Sequence, residues 1–162
     1  MNAGSYVSPS RLTVRSFAEN EWLPSVEAAV AGGNLRPSSA AQRRILATRH
    51  VVPRIGHIQL RDLTAPMLNA LYGELLANGR LCANNKEAGS ALSTTTVRAV
   101  HLVIHRMLAD AERWGRVPNN VAAKASPPRP RNVEMKTWGR EELALFTKAT
   151  ATSQFAALWR LL

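Results

Sequence analysis

Leu92-Ser93-Thr94-Thr95-Thr96-Val97-Arg98-Ala99-Val100-His101-Leu102-Val103-Ile104-His105-Arg106, continuing to Trp114-Gly115, sets the fold class. At about 100° per residue, Val97, Val100, Ile104, Met107, Leu108 and Ala111 share one arc of a helical wheel. Arg98, His105, Arg106 and Arg113 fall on the other side. An apolar stripe opposite a cationic face is the pattern of an amphipathic helix packed on a core. Ser93 and the three threonines offer capping hydroxyls at its start, and Gly115 offers the stop. A helix is expected from about Ser93 to Trp114.

The same periodicity recurs upstream. Val14, Phe17, Ala18, Trp22, Val26 and Val30 predict a first helix within residues 12–30, with Thr13 as its cap and Gly32-Gly33-Asn34 as its end. Pro24 lies inside this pattern and predicts a break or kink. A second helix is expected from Pro37-Ser38-Ser39 to about Val52, with Ala41, Ile45, Thr48 and Val52 inward and Pro53 as its stop. Arg54 to Leu60 reads as a connector pinned by its apolar residues. Thr64-Ala65-Pro66 opens a third helix with a leucine stripe, Leu68, Leu71, Leu75 and Leu76 with Tyr72 beside it, that stops at Asn78-Gly79. A polar loop then leads to the fourth helix, and Val117-Pro118-Asn119-Asn120 reads as a turn.

Beyond Ala125 the composition changes. Ser126-Pro127-Pro128-Arg129-Pro130-Arg131-Asn132 has no apolar period and reads as a linker. A further capped helix is expected from Thr137 to Ala149, and then an apolar run from Phe155 to Leu162 that calls for a partner surface.

The chain of 162 residues carries a formal net charge of +10, and 17 of its 21 basic residues are arginine. Residues 1–130 hold 16 of the basic and 8 of the acidic residues, so the excess belongs to the first unit. Guanidinium forks pair with phosphates and guanine edges, which favours nucleic acid as the partner. A hydrophobic fraction of 46% is enough for a packed core and argues against wholesale disorder. Cys82 alone forms no internal disulfide, the first ten residues carry no signal-peptide pattern, and no apolar run has membrane-spanning length. An intracellular, cytoplasmic setting without a membrane partner is expected.

Catalytic chemistry finds little support. His101 and His105 have the four-residue spacing of a helical metal pair, but Leu102 stands where a zincin helix has glutamate, and no third ligand is in view. Packing for His101 and solvent or DNA for His105 is the better reading, so neither a metal nor a cofactor is expected. No nucleophile elbow or phosphate-cradling glycine loop occurs, and Tyr72 reads as core beside the leucine stripe. The candidate site is instead a duplex-binding surface. Thr94, Thr95 and Thr96 lie at a helix start that can hold a phosphate, with Arg98, His105, Arg106 and Arg113 along the same helix. Arg43, Arg44, Arg49 and His50 decorate the second helix in the same way.

In order and spacing these segments resemble the N-terminal core-binding, SAM-like domain of tyrosine recombinases of the phage integrase type. The resemblance runs from Phe17-Ala18 and Trp22-Leu23 through Pro37-Ser38, Val52-Pro53-Arg54-Ile55-Gly56 and Leu60-Arg61-Asp62-Leu63-Thr64-Ala65-Pro66. It continues in Leu92 to Arg98, His101, Leu108 and Ala111-Glu112-Arg113-Trp114-Gly115. Asn120 is followed by Val121 where the family usually has Asn-Pro. Trp138, Glu141-Glu142-Leu143 and residues 155–162 resemble the opening of the family's catalytic domain.

The resemblance implies an all-α protein: a four-helix core-binding bundle, a Pro-rich linker and a short helical stub of a catalytic domain. The expected parts are a flexible lead-in at 1–11, the core-binding domain at 12–124, the linker at 125–136 and the stub at 137–162. It implies binding of double-stranded DNA at a recombination core site, alongside other recombinase protomers, in a bacterial or phage-encoded, nucleoid-associated setting. The family cleaves DNA with a tyrosine nucleophile and a set of arginines, lysine and histidines. None of those roles maps onto a residue of this sequence, and the chain by itself is expected to be inactive. A stand-alone helical DNA-binding regulator and a protein-interaction module are the rival readings.

Overall fold

The computed structural model describes residues 11–80, 90–130 and 137–152. The chain divides into two units, Met1–Arg131 and Asn132–Leu162. The lead-in before Arg11, the middle of the loop after the third helix and the apolar run from Phe155 lie outside the described residues.

Five helices and no strands make up the described chain, the all-α architecture expected. Helix α1 (residues 14–31) consists of Val14–Phe17, a π-turn at Ala18–Trp22, and Leu23–Ala31. Helix α2 (residues 37–55) repeats that plan with Pro37–Leu46, a π-turn at Ala47–Val51, and Val52–Ile55. Helices α3 (Ala65–Asn78) and α4 (Thr94–Arg113) complete the first unit. Helix α5 (Arg140–Ala149) belongs to the second.

The π-turns explain how both helices carry an internal proline. The N–H of Leu23 bonds to the carbonyl of Ala18, and that of Val52 to the carbonyl of Ala47, each five residues back. Pro24 and Pro53 follow immediately. Proline brings no N–H and its ring crowds the carbonyl four residues earlier; a locally widened turn just ahead accommodates it. Pro53 therefore does not stop α2, which runs on to Ile55, and Pro24 causes no break.

The second consequence concerns which face is buried. Ala41, Ile45 and Thr48 are exposed, against expectation, and only Val52 of the expected stripe is inward. The buried set is Leu46, Ala47, His50, Val51, Val52 and Ile55. Counting across a π-turn at 3.6 residues per turn slips by one residue, or about 100°, so Ile55 rather than Arg54 continues the line of Leu46 and His50. In α1 the buried residues Val14, Ala18, Trp22 and Val26 keep a strict four-residue step, which would drift by about 40° per step in an unbroken α-helix.

Helix starts and ends follow the sequence signals. Thr13 Oγ1 accepts the Ser16 amide at 3.1 Å and Ser93 Oγ that of Thr96 at 3.2 Å. Thr64 occupies the cap position of α3, but its hydroxyl makes no capping bond there. Gly33 and Gly115 close α1 and α4 with φ of 73° and 69°, a region open to glycine. The connector after α2 lies along the start of α1: Val14 and Arg15 donate to the carbonyls of Ile58 and Gly56, and Leu60 donates to that of Leu12.

All four helices of the first unit share one core. Phe17 and Trp22 of α1, Leu68 and Leu75 of α3, and Val97, Val100, Ile104, Met107, Leu108 and Ala111 of α4 are buried, the last six as the wheel predicts. Each large apolar side chain removed from water contributes about 1.5–3 kcal/mol. A polar tie through this core is Trp22 Nε1 donating to Asp110 Oδ2 at 3.1 Å, which joins α1 to α4. At the unit's other edge the Ser126 amide donates to Asn69 Oδ1 at 2.8 Å, fixing the first residues of the proline-rich segment to α3.

In the second unit the Gly139 amide donates to Glu142 Oε2 at 2.8 Å at the start of α5, and Trp138 stacks obliquely on Phe146. Leu143 and Leu145 remain exposed.

Asp110→Ala leaves the buried Trp22 N–H without an acceptor. It is expected to cost about 1–3 kcal/mol, read as a lower urea midpoint at unchanged slope; an unaltered midpoint would contradict the role given to this bond.

Candidate nucleic-acid interface

Helices α2 and α4 lie side by side on the surface of the first unit. Ser39 to Leu46 lie along Ala99 to Arg106, and Ile45 to His50 lie beside Leu92 to Thr96, so the two helices run antiparallel along the seam. Two shallow recesses open along it. One, of about 310 Å³, has Leu46 and Val103 in its floor, with Arg43 on one rim and Arg106 on the other. The second, of about 270 Å³, collects Arg49, His50, Arg80, Ser93 and Thr96 at the start of α4.

The arginines proposed from sequence divide into two groups. Arg44 is paired with Glu27 of α1. Arg106 and Arg113 both lean on Asp110, at 3.4 and 2.9 Å. Arg43, Arg49 and Arg98 form no ion pair among the described residues. These three are the arginines of α2 and α4 without a carboxylate partner, and Arg106 and Arg113 together share one carboxylate. Four further arginines of the unit are paired with carboxylates: Arg54 with Glu74, Arg116 with Glu21, Arg15 with Glu19 and Arg61 with Asp62.

His50 does not decorate the surface as the sequence suggested. It is 8% exposed, and its Nδ1 has no hydrogen-bond partner. The π-turn brings it inward with the core stripe. Burial, and then the neighbouring Arg54 and Arg49 cations, hold its pKa below the ordinary histidine range. Thr95 is exposed at the start of α4, whereas the Thr96 amide and hydroxyl are both taken up by Ser93.

The two histidines of α4 take different places. His101 is buried, with Nδ1 2.8 Å from the Tyr72 hydroxyl of α3. Burial, then His105 and Arg98, lower its pKa, and burial raises that of Tyr72. Tyr72 is thus a core residue, as expected. His105 is half-buried, and its carbonyl accepts from Asn120 Nδ2 at 3.0 Å, which draws the turn after α4 onto that helix.

Asp110 is the residue the sequence reading passed over. Its spacing, four after Arg106 and three before Arg113, is the spacing of helical ion pairs and could have drawn attention to it. Its partner Trp22 is 88 residues away and gives no such signal. Gln42 and Leu102, which line the first recess, were likewise absent from the expected site. No described helix is long and apolar enough to cross a membrane.

The described residues of the first unit form a small all-α bundle with cationic side chains on two neighbouring helices. The chain is similar to the solution structure of the phage integrase SAM-like domain from Moorella thermoacetica. The identity is 29% and the TM-score 0.52, over 80% of this chain and 96% of that one. No family model and no curated protein matches it. The fold likeness agrees with the resemblance read from the sequence: the chain is similar in fold to an integrase SAM-like domain.

The two buried histidines give the bundle a pH dependence. With folded-state pKa values below the unfolded value of about 6.5, their contribution is fully present above that pH and is lost as the pH falls below it. The urea midpoint is expected to drop between about pH 7.5 and about pH 5, less steeply in His50→Gln. A midpoint whose pH profile is identical in parent and variant would show that His50 does not contribute.

Proposed function

We propose that this chain is the DNA-binding part of a site-specific tyrosine recombinase of the integrase type, holding double-stranded DNA at a recombination core site. In this reading residues 12–124 are the core-binding domain, 125–136 the linker and 137–162 the start of a catalytic domain. The observation that carries the reading is that Arg43 and Arg49 on the α2/α4 seam and Arg98, exposed on α4, have no carboxylate partner among the described residues, while seven other arginines of the unit do. The likeness to a phage integrase SAM-like domain supports it independently.

The chemistry asked of this surface is electrostatic. Each arginine set against a phosphate releases condensed counterions, and the sum supplies most of the affinity without reading sequence. Thr95, at the positive end of the α4 dipole, adds a hydroxyl suited to a phosphate oxygen. Arg106 and Arg113 keep their side chains more than half exposed while Asp110 fixes their position, so they meet the backbone in a preset geometry. Cleavage and joining fall to groups outside the residues assigned here. Exposed Trp138, Leu143 and Leu145 around α5 suit a segment that packs within a larger catalytic unit.

Duplex binding is expected to weaken with salt at a log–log slope of about −0.9 per phosphate engaged. Arg43→Ala and Arg98→Ala should each lower affinity and reduce that slope by about one, while Arg116→Ala, at a pair remote from the seam, should not. Equal binding by all three variants in a fluorescence-anisotropy titration would remove the surface assignment.

A further inference from the structure

We propose that the recess between Arg43 and Arg106 reads an A·T base pair in the DNA major groove, with Gln42 on the adenine edge and Leu102 on the thymine methyl group. This rests on the DNA-binding reading above and adds sequence discrimination to it.

Leu102 is the starting point. It is 57% exposed, the most exposed large apolar side chain in the described part of the first unit. On α4 it lies one turn from Arg98 on one side and one turn from Arg106 on the other. A surface that only gripped phosphates would have no use for a bare isobutyl group between two cations, and solvent gives it no favourable contact. The 5-methyl of thymine is the apolar group that a duplex presents in its major groove. Ile45, 47% exposed and lining the neighbouring recess, is the other large aliphatic left outward on this seam.

Gln42 supplies the polar half. It lines the same recess from α2, is exposed, and its amide makes no hydrogen bond among the described residues. A carboxamide offers a donor and an acceptor side by side, the complement of adenine N7 and N6. Arg43 and Arg106 stand at the rims of the recess, where they can take up charge on either side of a base edge. The major groove of B-form DNA admits an α-helix and with it side chains that reach base edges. The major groove of A-form RNA is too deep and narrow for side chains to read, which separates the two nucleic acids.

The test uses the whole chain to enrich duplexes from a random-sequence pool. In the enriched duplex each thymine is replaced singly by deoxyuridine, which deletes only the methyl group, and each adenine by 7-deazaadenine, which deletes only the N7 acceptor. At one base pair both replacements are expected to weaken binding, the stronger effect about fivefold or more. Leu102→Ala should then bind the thymine and uracil duplexes alike, and Gln42→Ala should ignore the 7-deaza change. Both side chains are exposed, so both variants should keep the parent circular dichroism spectrum. Indifference of the parent chain to uracil at every position overturns the inference, as does full discrimination by Leu102→Ala. Tight duplex binding with no enriched sequence also overturns it and leaves DNA binding standing; no binding at all removes both. Self-association abolished by Leu102→Ala, without any methyl effect, would give the recess to a second copy of the chain.

Discussion

The Asp110 carboxylate has one oxygen engaged with the indole of Trp22 in the core and the other with Arg113 at the surface. Arg106 leans on it as well. A buried anion is costly unless paired and hydrogen-bonded, and here each oxygen has a donor. The consequence is geometric. The first helix of the bundle and the fourth cannot rotate independently, and two of the cations on the fourth are held to the same anchor. Packing of the core and presentation of the surface are therefore one constraint.

Around that anchor the charge is sorted. Glutamates on α1 and α3 neutralise Arg44, Arg116 and Arg54, which leaves a net positive seam rather than an evenly basic sphere. A focused positive patch steers a polyanion into one orientation, whereas uniform charge would only raise non-specific attraction. Between the cations lie uncharged groups, Gln42, Ile45 and Leu102, that a purely electrostatic surface would not require.

Much of the fold was legible because α4 is long and its period regular: Val97, Val100, Ile104, Met107, Leu108 and Ala111 fall inward as the wheel places them. The cap at Thr13 and the stop at Gly115 were legible because capping chemistry is local. The inner face of α2 was not, since a π-turn changes the count that a wheel depends on, and it carried His50 from the expected surface into the core. Of the candidate site, the identity of the two helices could be read from their arginines. Which arginines stay free could be read only in part: Asp110 stands at helical spacing from Arg106 and Arg113, whereas Glu27 meets Arg44 only through the tertiary fold.

The two π-turns also bear on how the seam is aimed. Each acts as a fixed phase step of roughly one residue between the two ends of a helix. In α2 the end before the step carries Arg43 and Gln42, and the end after it is clasped by the start of α1 through Arg15 and Gly56. The clasped end works as a key seated in its slot, and the step sets the angle at which the other end faces outward. Pro53, by making an uninterrupted α-helix unfavourable there, holds that angle. A residue outside the candidate surface thus sets the direction in which its arginines point.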